Sequence, residues 1–327
     1  MMKKYRVGII GAGGVSELHF MGYKDHPERI EIEALCDPNP EMLQSRADKY
    51  GVPKRFTDLN DFIRNSGVDV AVVCTPSPIR KEILFPLIEA GLPVFVEKPF
   101  SDNLSEAVEI TEKAKRDGVP ISVNQNFRRH FPFDLTKGIV AGGTIGKVTS
   151  ILFTNLFFRQ DGGWRLECKR HALSVMGIHW FDGFRLILGA DAKSVVCQNR
   201  SSSAVDCAGE TDATVQVVFN NNTVATYVQS FSSAFPKTEM IVIGESGTLV
   251  TGHSKVDLHR RGGSNPVQSW ENNISRETAT YEGLNQLLVS LETGEEAPNS
   301  AHDNLKTIQM LDAAYVSAME QRMVLID

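Results

Sequence analysis

Arg6-Val7-Gly8-Ile9-Ile10-Gly11-Ala12-Gly13-Gly14-Val15-Ser16 decides how the rest of this chain reads. Val7, Ile9 and Ile10 form a short apolar run, the pattern of a strand covered on both faces of a parallel sheet. Gly11 and Gly13 allow a tight turn and a bare backbone that a pyrophosphate can approach. From Gly14 onward Val15, Leu18 and Met21 fall at helical spacing, so a helix opens with its N-terminal amides aimed at that phosphate. The spacing is Gly11-x-Gly13-x-x-Ser16, in which serine replaces the third glycine of the dinucleotide fingerprint. Serine is still small enough for close helix–strand packing. Strand, glycine turn and helix at this spacing also describe an ordinary tight turn, so a second residue has to decide.

Asp37 is that residue. Ile30–Cys36 reads as a second strand, and Asp37 stands at its carboxyl end, where a carboxylate accepts hydrogen bonds from adenosine ribose hydroxyls. Asp37-Pro38-Asn39-Pro40 is also a turn opening the next helix, and the two roles are compatible. The same carboxylate repels a 2′-phosphate, and no arginine follows it to attract one. NAD is therefore expected rather than NADP.

The chain has 327 residues, which on ordinary domain sizes implies two domains. With 42% hydrophobic and 23% charged residues it has the composition of a soluble globular protein. Lys+Arg 34 against Asp+Glu 40 leaves a net charge of −6 and no basic stripe, which argues against nucleic acid as a partner. Met1-Met2-Lys3-Lys4-Tyr5 leads straight into the first strand without an apolar signal core, and no uninterrupted membrane-length segment follows. Cys36, Cys74, Cys168, Cys197 and Cys207 are odd in number and widely spaced, a reduced, cytoplasmic inventory. Cys168-x-x-His171 with His179 nearby lacks a second cysteine pair, and no metal is expected.

Strand and helix signals alternate to Val123. Helices are predicted over Glu41–Tyr50, from Asp58 to Asn65, over Ile79–Ala90 and over Leu104–Lys115. Strands are predicted at Arg55–Thr57, Asp69–Cys74, Pro93–Pro99 and Val119–Val123. The alternation predicts a doubly wound parallel sheet over 1–123, with ligands beyond the carboxyl ends of its strands. Ser16, Asp37, Thr75, Glu97-Lys98-Pro99 and Asn124 share that edge. A lysine directly after a buried strand is poorly placed for solvent, and near a positive nicotinamide its amine can bond the oxygen being oxidised or reduced. An ion pair with Glu97, or a plain strand end, accounts for Lys98 equally well.

The second half, 124–327, reads as an α+β domain. A helix is predicted over Phe131–Ala141 and a long strand over Val148–Arg159. Strand patterns continue at Thr214–Phe219, Thr223–Gln229, Thr238–Ile243 and Thr248–Thr251, which implies a large, mostly antiparallel sheet with one covered face. In the helix predicted over Leu173–Leu188, Val175, His179, Asp182 and Leu186 share a face. His179 is either a general base for a hydroxyl proton or a core histidine paired to Asp182. The preceding loop Asp161–Glu167 offers Trp164 as a flat face for a sugar ring and Arg165 as a donor, or is merely a surface loop with one packed tryptophan. Arg128, Arg165 and Arg170 make this half more cationic than a neutral sugar demands, leaving an anionic substrate open.

Gly11-x-Gly13-x-x-Ser16, Asp37, Thr75-Pro76 and Glu97-Lys98-Pro99 together resemble the glucose–fructose oxidoreductase/inositol dehydrogenase/rhizopine catabolism family. Gly143-x-Ile145-Gly146-x-Val148, Gly177-x-His179-x-x-Asp182, Gly244-x-x-Gly247-Thr248 and the segment Ser317–Val324 extend the resemblance over essentially the whole chain. It implies an N-terminal Rossmann domain holding a nicotinamide cofactor, with Lys98 and His179 at the reacting carbon of a sugar or cyclitol. It further implies cofactor contacts from Gly11, Gly13, Gly14 and Val15, from Asp37, from Thr75 and Pro76, and from Glu97, Lys98 and Asn126. Lys98, Arg128, Trp164, Arg165, His171 and His179 are the substrate contacts expected. The outer face of the second sheet would form a homodimer or homotetramer. Two departures stand out. Val175 occupies the place of an aspartate one turn before the family's histidine, leaving the relay to His179 alone, to Lys98 and His179 together, or to a carboxylate such as Glu167 or Asp161; Arg80 replaces a histidine after Thr75-Pro76. The expectation is an NAD-dependent dehydrogenase of a small sugar or polyol, such as a pentose aldose giving a lactone. A redox-neutral epimerase or eliminase and a non-catalytic sugar or nucleotide sensor are the alternatives.

Overall fold

Val7, Ile9 and Ile10 are buried in strand β1 (Tyr5–Ile10), and helix α1 (Ser16–Tyr23) follows the glycine turn. The computed structural model describes residues 3–326. Next come β2 (Ile30–Cys36), α2 (Pro40–Tyr50), β3 (Lys54–Phe56), α3 (Leu59–Asn65) and β4 (Val70–Val73). They are followed by α4 (Arg80–Glu89), β5 (Val94–Glu97), α5 (Leu104–Asp117) and β6 (Ile121–Asn124). Asn39, Asp58 and Asn103 cap α2, α3 and α5 with their side-chain oxygens, and Gly51 and Gly118 close α2 and α5 in the left-handed region. The six strands pair in parallel in the order β3-β2-β1-β4-β5-β6. The order reverses between β1 and β4, and the carboxyl edge there is where such sheets take ligands.

The second sheet is larger. After α6 (Phe131–Ala141) come β7 (Val148–Phe158), α7 (Ile178–Leu188), β8 (Ala192–Arg200), β9 (Asp212–Phe219), β10 (Val224–Ser230) and β11 (Ser232–Gly244). β12 (Thr248–Thr251), β13 (Lys255–His259) and β14 (Gln268–Glu271) follow, then α8 (Arg276–Thr293), α9 (Ala301–Glu320) and β15 (Val324–Leu325). Nine strands run in the order β14-β13-β12-β11-β7-β10-β9-β8-β15, antiparallel except for β10 with β7. The inner face buries Phe153 and Tyr227 against Trp180, Phe181 and Phe184 of α7. On the outer face the register lines up Val196, Gln216, Thr226, Leu152, Ile241 and Val250 in one row.

The compact units divide the chain differently from the single boundary expected at 123/124. One consists of the residues up to Asn126 together with Ser275–Leu305, the other of Phe127–Ile274 with the residues from Lys306 onward. Helix α8 belongs to the first unit because its apolar side is core there. Leu284, Leu287 and Leu288 are buried with Tyr5, Phe20, Tyr23 and Ile30, Arg29 is paired to Glu292, and His26 stacks on Tyr281.

Candidate active site

In the first unit the glycine turn has the geometry a dinucleotide needs. Gly11 has φ +100°, and a Cβ there would meet the Cys74 carbonyl carbon at 3.0 Å, so both backbone and space demand glycine. A Cβ on Gly13 or Gly14 would meet nothing within 4 Å, leaving that side of the turn open to a ligand. Ser16 is fully buried and donates to the Gly13 carbonyl at 2.7 Å, which shows how serine fits where the fingerprint has glycine. Asp37 accepts from the Ala12 amide at 2.7 Å on one oxygen and from the Asn39 amide at 2.8 Å on the other. Its carboxylate therefore braces the glycine turn, and each oxygen keeps a second lone pair for a ribose hydroxyl. Arg46 of α2 reaches the Ala12 carbonyl of the glycine turn at 3.3 Å and is engaged by Glu17. The sequence reading missed this arginine because it lies nine residues beyond Asp37 and is brought back only by α2.

The same edge carries a buried ionic network beneath Lys98. Glu97 is 5% exposed; its Oε1 accepts from Asn124 at 2.7 Å and lies 2.9 Å from His19 Nε2. His19 Nδ1 lies 2.7 Å from the Tyr23 hydroxyl. Burial opposes both charges; Glu97 is nonetheless pulled down to about 2, chiefly by His19 and Asn124, and His19 is held well above its ordinary value by Cys74 and Tyr23 first, with the Glu97 hydrogen bond adding to them. Glu97 thus pairs with a histidine and an asparagine under the strand end, which answers the question of whether it serves Lys98 alone. Arg80, 4% exposed, donates to the Thr75 carbonyl from Nε (3.1 Å) and Nη2 (2.8 Å), to the Glu97 carbonyl from Nη1 (2.5 Å), and to the Pro99 carbonyl. Lys98 itself, at the cis Lys98–Pro99 bond, is half-buried. Thr75 and Asn126 are buried along the same edge, while Pro76 and Val15 are partly exposed.

In the second unit His179 lies in the first turn of α7, 5% exposed, and its ring stacks on Phe127 (4.0 Å, 13°), which also stacks on His130 (4.2 Å, 25°). Asp182 engages Arg128 instead, through two bonds of 2.7 and 2.6 Å, and accepts from Thr307 at 3.1 Å. Arg128 is thereby neutralised within the unit, and Arg170 is likewise paired to Asp312. The cationic character expected of this half is correspondingly reduced. His171 is fully buried, 3.0 Å from Asp161, which Arg159 grips with bonds of 2.9 and 2.7 Å. Despite its burial Asp161 is held far below the usual carboxylate range by His171 and Arg159. His171 and Arg128 are thus engaged with carboxylates of their own unit, whereas Trp164 is 39% exposed with the Arg165 guanidinium 5.0 Å above its ring. Glu167 is exposed. Leu173–Gly177 is a π turn, so residue 175 no longer sits one α turn before His179, and Val175 packs on Ala172, Val205 and Phe231.

A glycine turn at the switch point of a parallel sheet, braced by an acidic residue at the end of the second strand, defines a dinucleotide-binding oxidoreductase. Profiles of two domains agree: an oxidoreductase family with an NAD-binding Rossmann fold matches residues 5–125, and the GFO/IDH/MocA C-terminal domain matches residues 133–250. The chain belongs to the glucose–fructose oxidoreductase/inositol dehydrogenase/rhizopine catabolism family. It is similar to the D-apiose dehydrogenase of Paraburkholderia graminis (25% identical, covering 99% of this chain and 90% of that protein). It is also similar to the myo-inositol 2-dehydrogenase of Thermotoga maritima (25% identical, covering 98% of each). Among solved structures, levoglucosan dehydrogenase in complex with NADH and L-sorbose shares the fold, with a TM-score of 0.91, 18% identity and 100% of both chains covered.

Proposed function

We propose that this protein is an NAD-dependent dehydrogenase of a small sugar or polyol, with an aldose oxidised at its ring carbon to a lactone as the best candidate. The observation that carries this reading is the Lys98 turn: a lysine at the nicotinamide edge of an NAD-binding sheet, with a buried carboxylate and a buried guanidinium fixing the residues around it. The D-apiose and myo-inositol dehydrogenases among its relatives support the substrate class. Bound NAD supplies the hydride acceptor. Asp37 holds the ribose, and Lys98 and His179 share the hydroxyl proton as it leaves. Phe127, stacked on the His179 ring, sets its plane. Trp164 and Arg165 are the substrate contacts, whereas Arg128 and His171 are engaged with Asp182 and Asp161.

A panel of aldoses, polyols and sugar acids offered with NAD and NADP tests the class. NADH should form with at least one neutral sugar, whereas conversion of a sugar without NADH release would make the chemistry redox-neutral. Lys98→Met should lower turnover by roughly a hundredfold or more while leaving NADH binding intact. Wild-type turnover in that variant removes Lys98 from the mechanism. The outer face of the nine-stranded sheet is the proposed homodimer or homotetramer interface. The five free cysteines support a reducing, cytoplasmic setting, and no described helix is long and apolar enough to cross a membrane.

A further inference from the structure

We propose that Arg80 is the positioning residue for Lys98, an inference that rests on the catalytic reading of that lysine. Its guanidinium is buried under the turn at the end of β5 and bonds the carbonyls of Glu97 and Pro99, the residues on either side of Lys98. Two further bonds run to the Thr75 carbonyl at the end of β4. The Glu97 carbonyl lies in the peptide plane that leads into Lys98 and the Pro99 carbonyl in the plane that leaves the following residue, so Arg80 pins both ends of the short Glu97–Pro99 segment from which the lysine side chain departs. Only a guanidinium meets this demand: it has five donors in a rigid fork, whereas an imidazole has at most two and an ammonium no fixed fork. Glu97 adds a second hold, its side chain tied to His19 and Asn124 while its carbonyl is tied to Arg80. The lysine's root is therefore gripped through main chain and side chain at once. Arg80 acts through the backbone carbonyls it holds.

The test compares Arg80→Met and Arg80→Lys with Lys98→Met. Turnover is measured with the panel sugar that yields the most NADH, NADH affinity by fluorescence titration, and the Lys98 amine by NMR after reductive methylation with 13C-formaldehyde. The Lys98 signal is the one missing from Lys98→Met. Arg80→Met should lower turnover by about 30-fold or more, as expected of a misplaced catalytic group, with the NADH dissociation constant changed by no more than about threefold. Arg80→Lys should recover part of the turnover, and the Lys98 signal should move in both variants. Turnover within about threefold of wild type in Arg80→Met, or a loss of NADH affinity large enough to account for the whole fall, overturns the proposal. Should Arg80→Met fail to fold, an unmoved Lys98 signal and full turnover in Arg80→Lys overturn it instead. Lys98→Met separates the two readings: if that variant turns over normally the lysine's role falls, while the NMR signal still reports whether Arg80 sets its place.

Discussion

Asp37 already accepts one backbone amide on each carboxylate oxygen, so it is aimed before any ribose arrives. Asp37→Ser should weaken NADH binding by about 10- to 100-fold, the loss of one or two hydrogen bonds to a charged acceptor, and should narrow the preference over NADPH. Fluorescence titration with the two reduced dinucleotides measures both. The Glu97–His19 pair gives a pH signature. Glu97 falls to about 2 on folding, so its contribution is fully present above the ordinary glutamate range and is lost as the pH drops toward 2; the depression corresponds to about 3 kcal/mol. His19 moves the other way, its contribution present below its ordinary value and lost as the pH rises through the folded one. Urea unfolding of wild type and Glu97→Gln should therefore differ most near pH 6 and converge only as the pH falls to about 2 and below. At this scale the sequence was legible where chemistry is local: Gly11, Asp37 and Lys98 announce themselves by position after a strand. His19 and Arg80 do not, because their partners lie on other strands and only the sheet order brings them together.

The start of α7 shows how an element can be held without a local cap. The amides of His171 and Leu173 donate to Glu210 at 3.0 and 2.9 Å, and that of Ser174 donates to the Tyr315 hydroxyl, which in turn donates to Glu210 at 2.7 Å. A carboxyl from just before β9 and a phenol from α9 thus satisfy donors at the start of the π turn that leads into the His179 helix. Burial pushes the Glu210 carboxyl up, and these donors restrain it. Glu210→Ala should cost about 2–4 kcal/mol in urea unfolding by orphaning buried donors, and Glu210→Gln, which keeps an acceptor oxygen, about half as much. Helical spacing predicts a continuous helix over Leu173–Leu188; the structure inserts the π turn at its beginning. Nothing in Leu173-Ser174-Val175-Met176-Gly177 announces that turn, because a π turn has no residue signature of its own and follows from the bonds to Glu210 and Tyr315. The departure at Val175 reads as a missing relay only while residue 175 is assumed to lie above His179.

The fold class followed from alternation of apolar runs and glycine stops; the parallel sheet stands where the patterns put it, whereas β8, β13, β14 and β15 of the second sheet had no strand assigned to them from the sequence. The outer face of the second sheet, proposed above as the interface between chains, has Leu152 and Val196 44% and 42% exposed in a row with Gln216, Thr226, Ile241 and Val250. Leu152→Arg, central in that row between Thr226 and Ile241, should lower the mass read by light scattering to that of a single chain while leaving NADH binding unchanged. The path of the backbone was less legible. Ala279, Leu284, Leu287 and Leu288 are spaced for a helix, but spacing says nothing of which core a helix joins. That return visit by α8 sets an order on biosynthesis. When the ribosome has released Asn126, every strand of the parallel sheet exists, yet Tyr5, Phe20, Tyr23 and Phe95 still lack the leucines that cover them. The nucleotide half must wait, part-built and sticky, until the polypeptide beyond Leu288 emerges, so nascent chains stalled in between are the ones a chaperone should find.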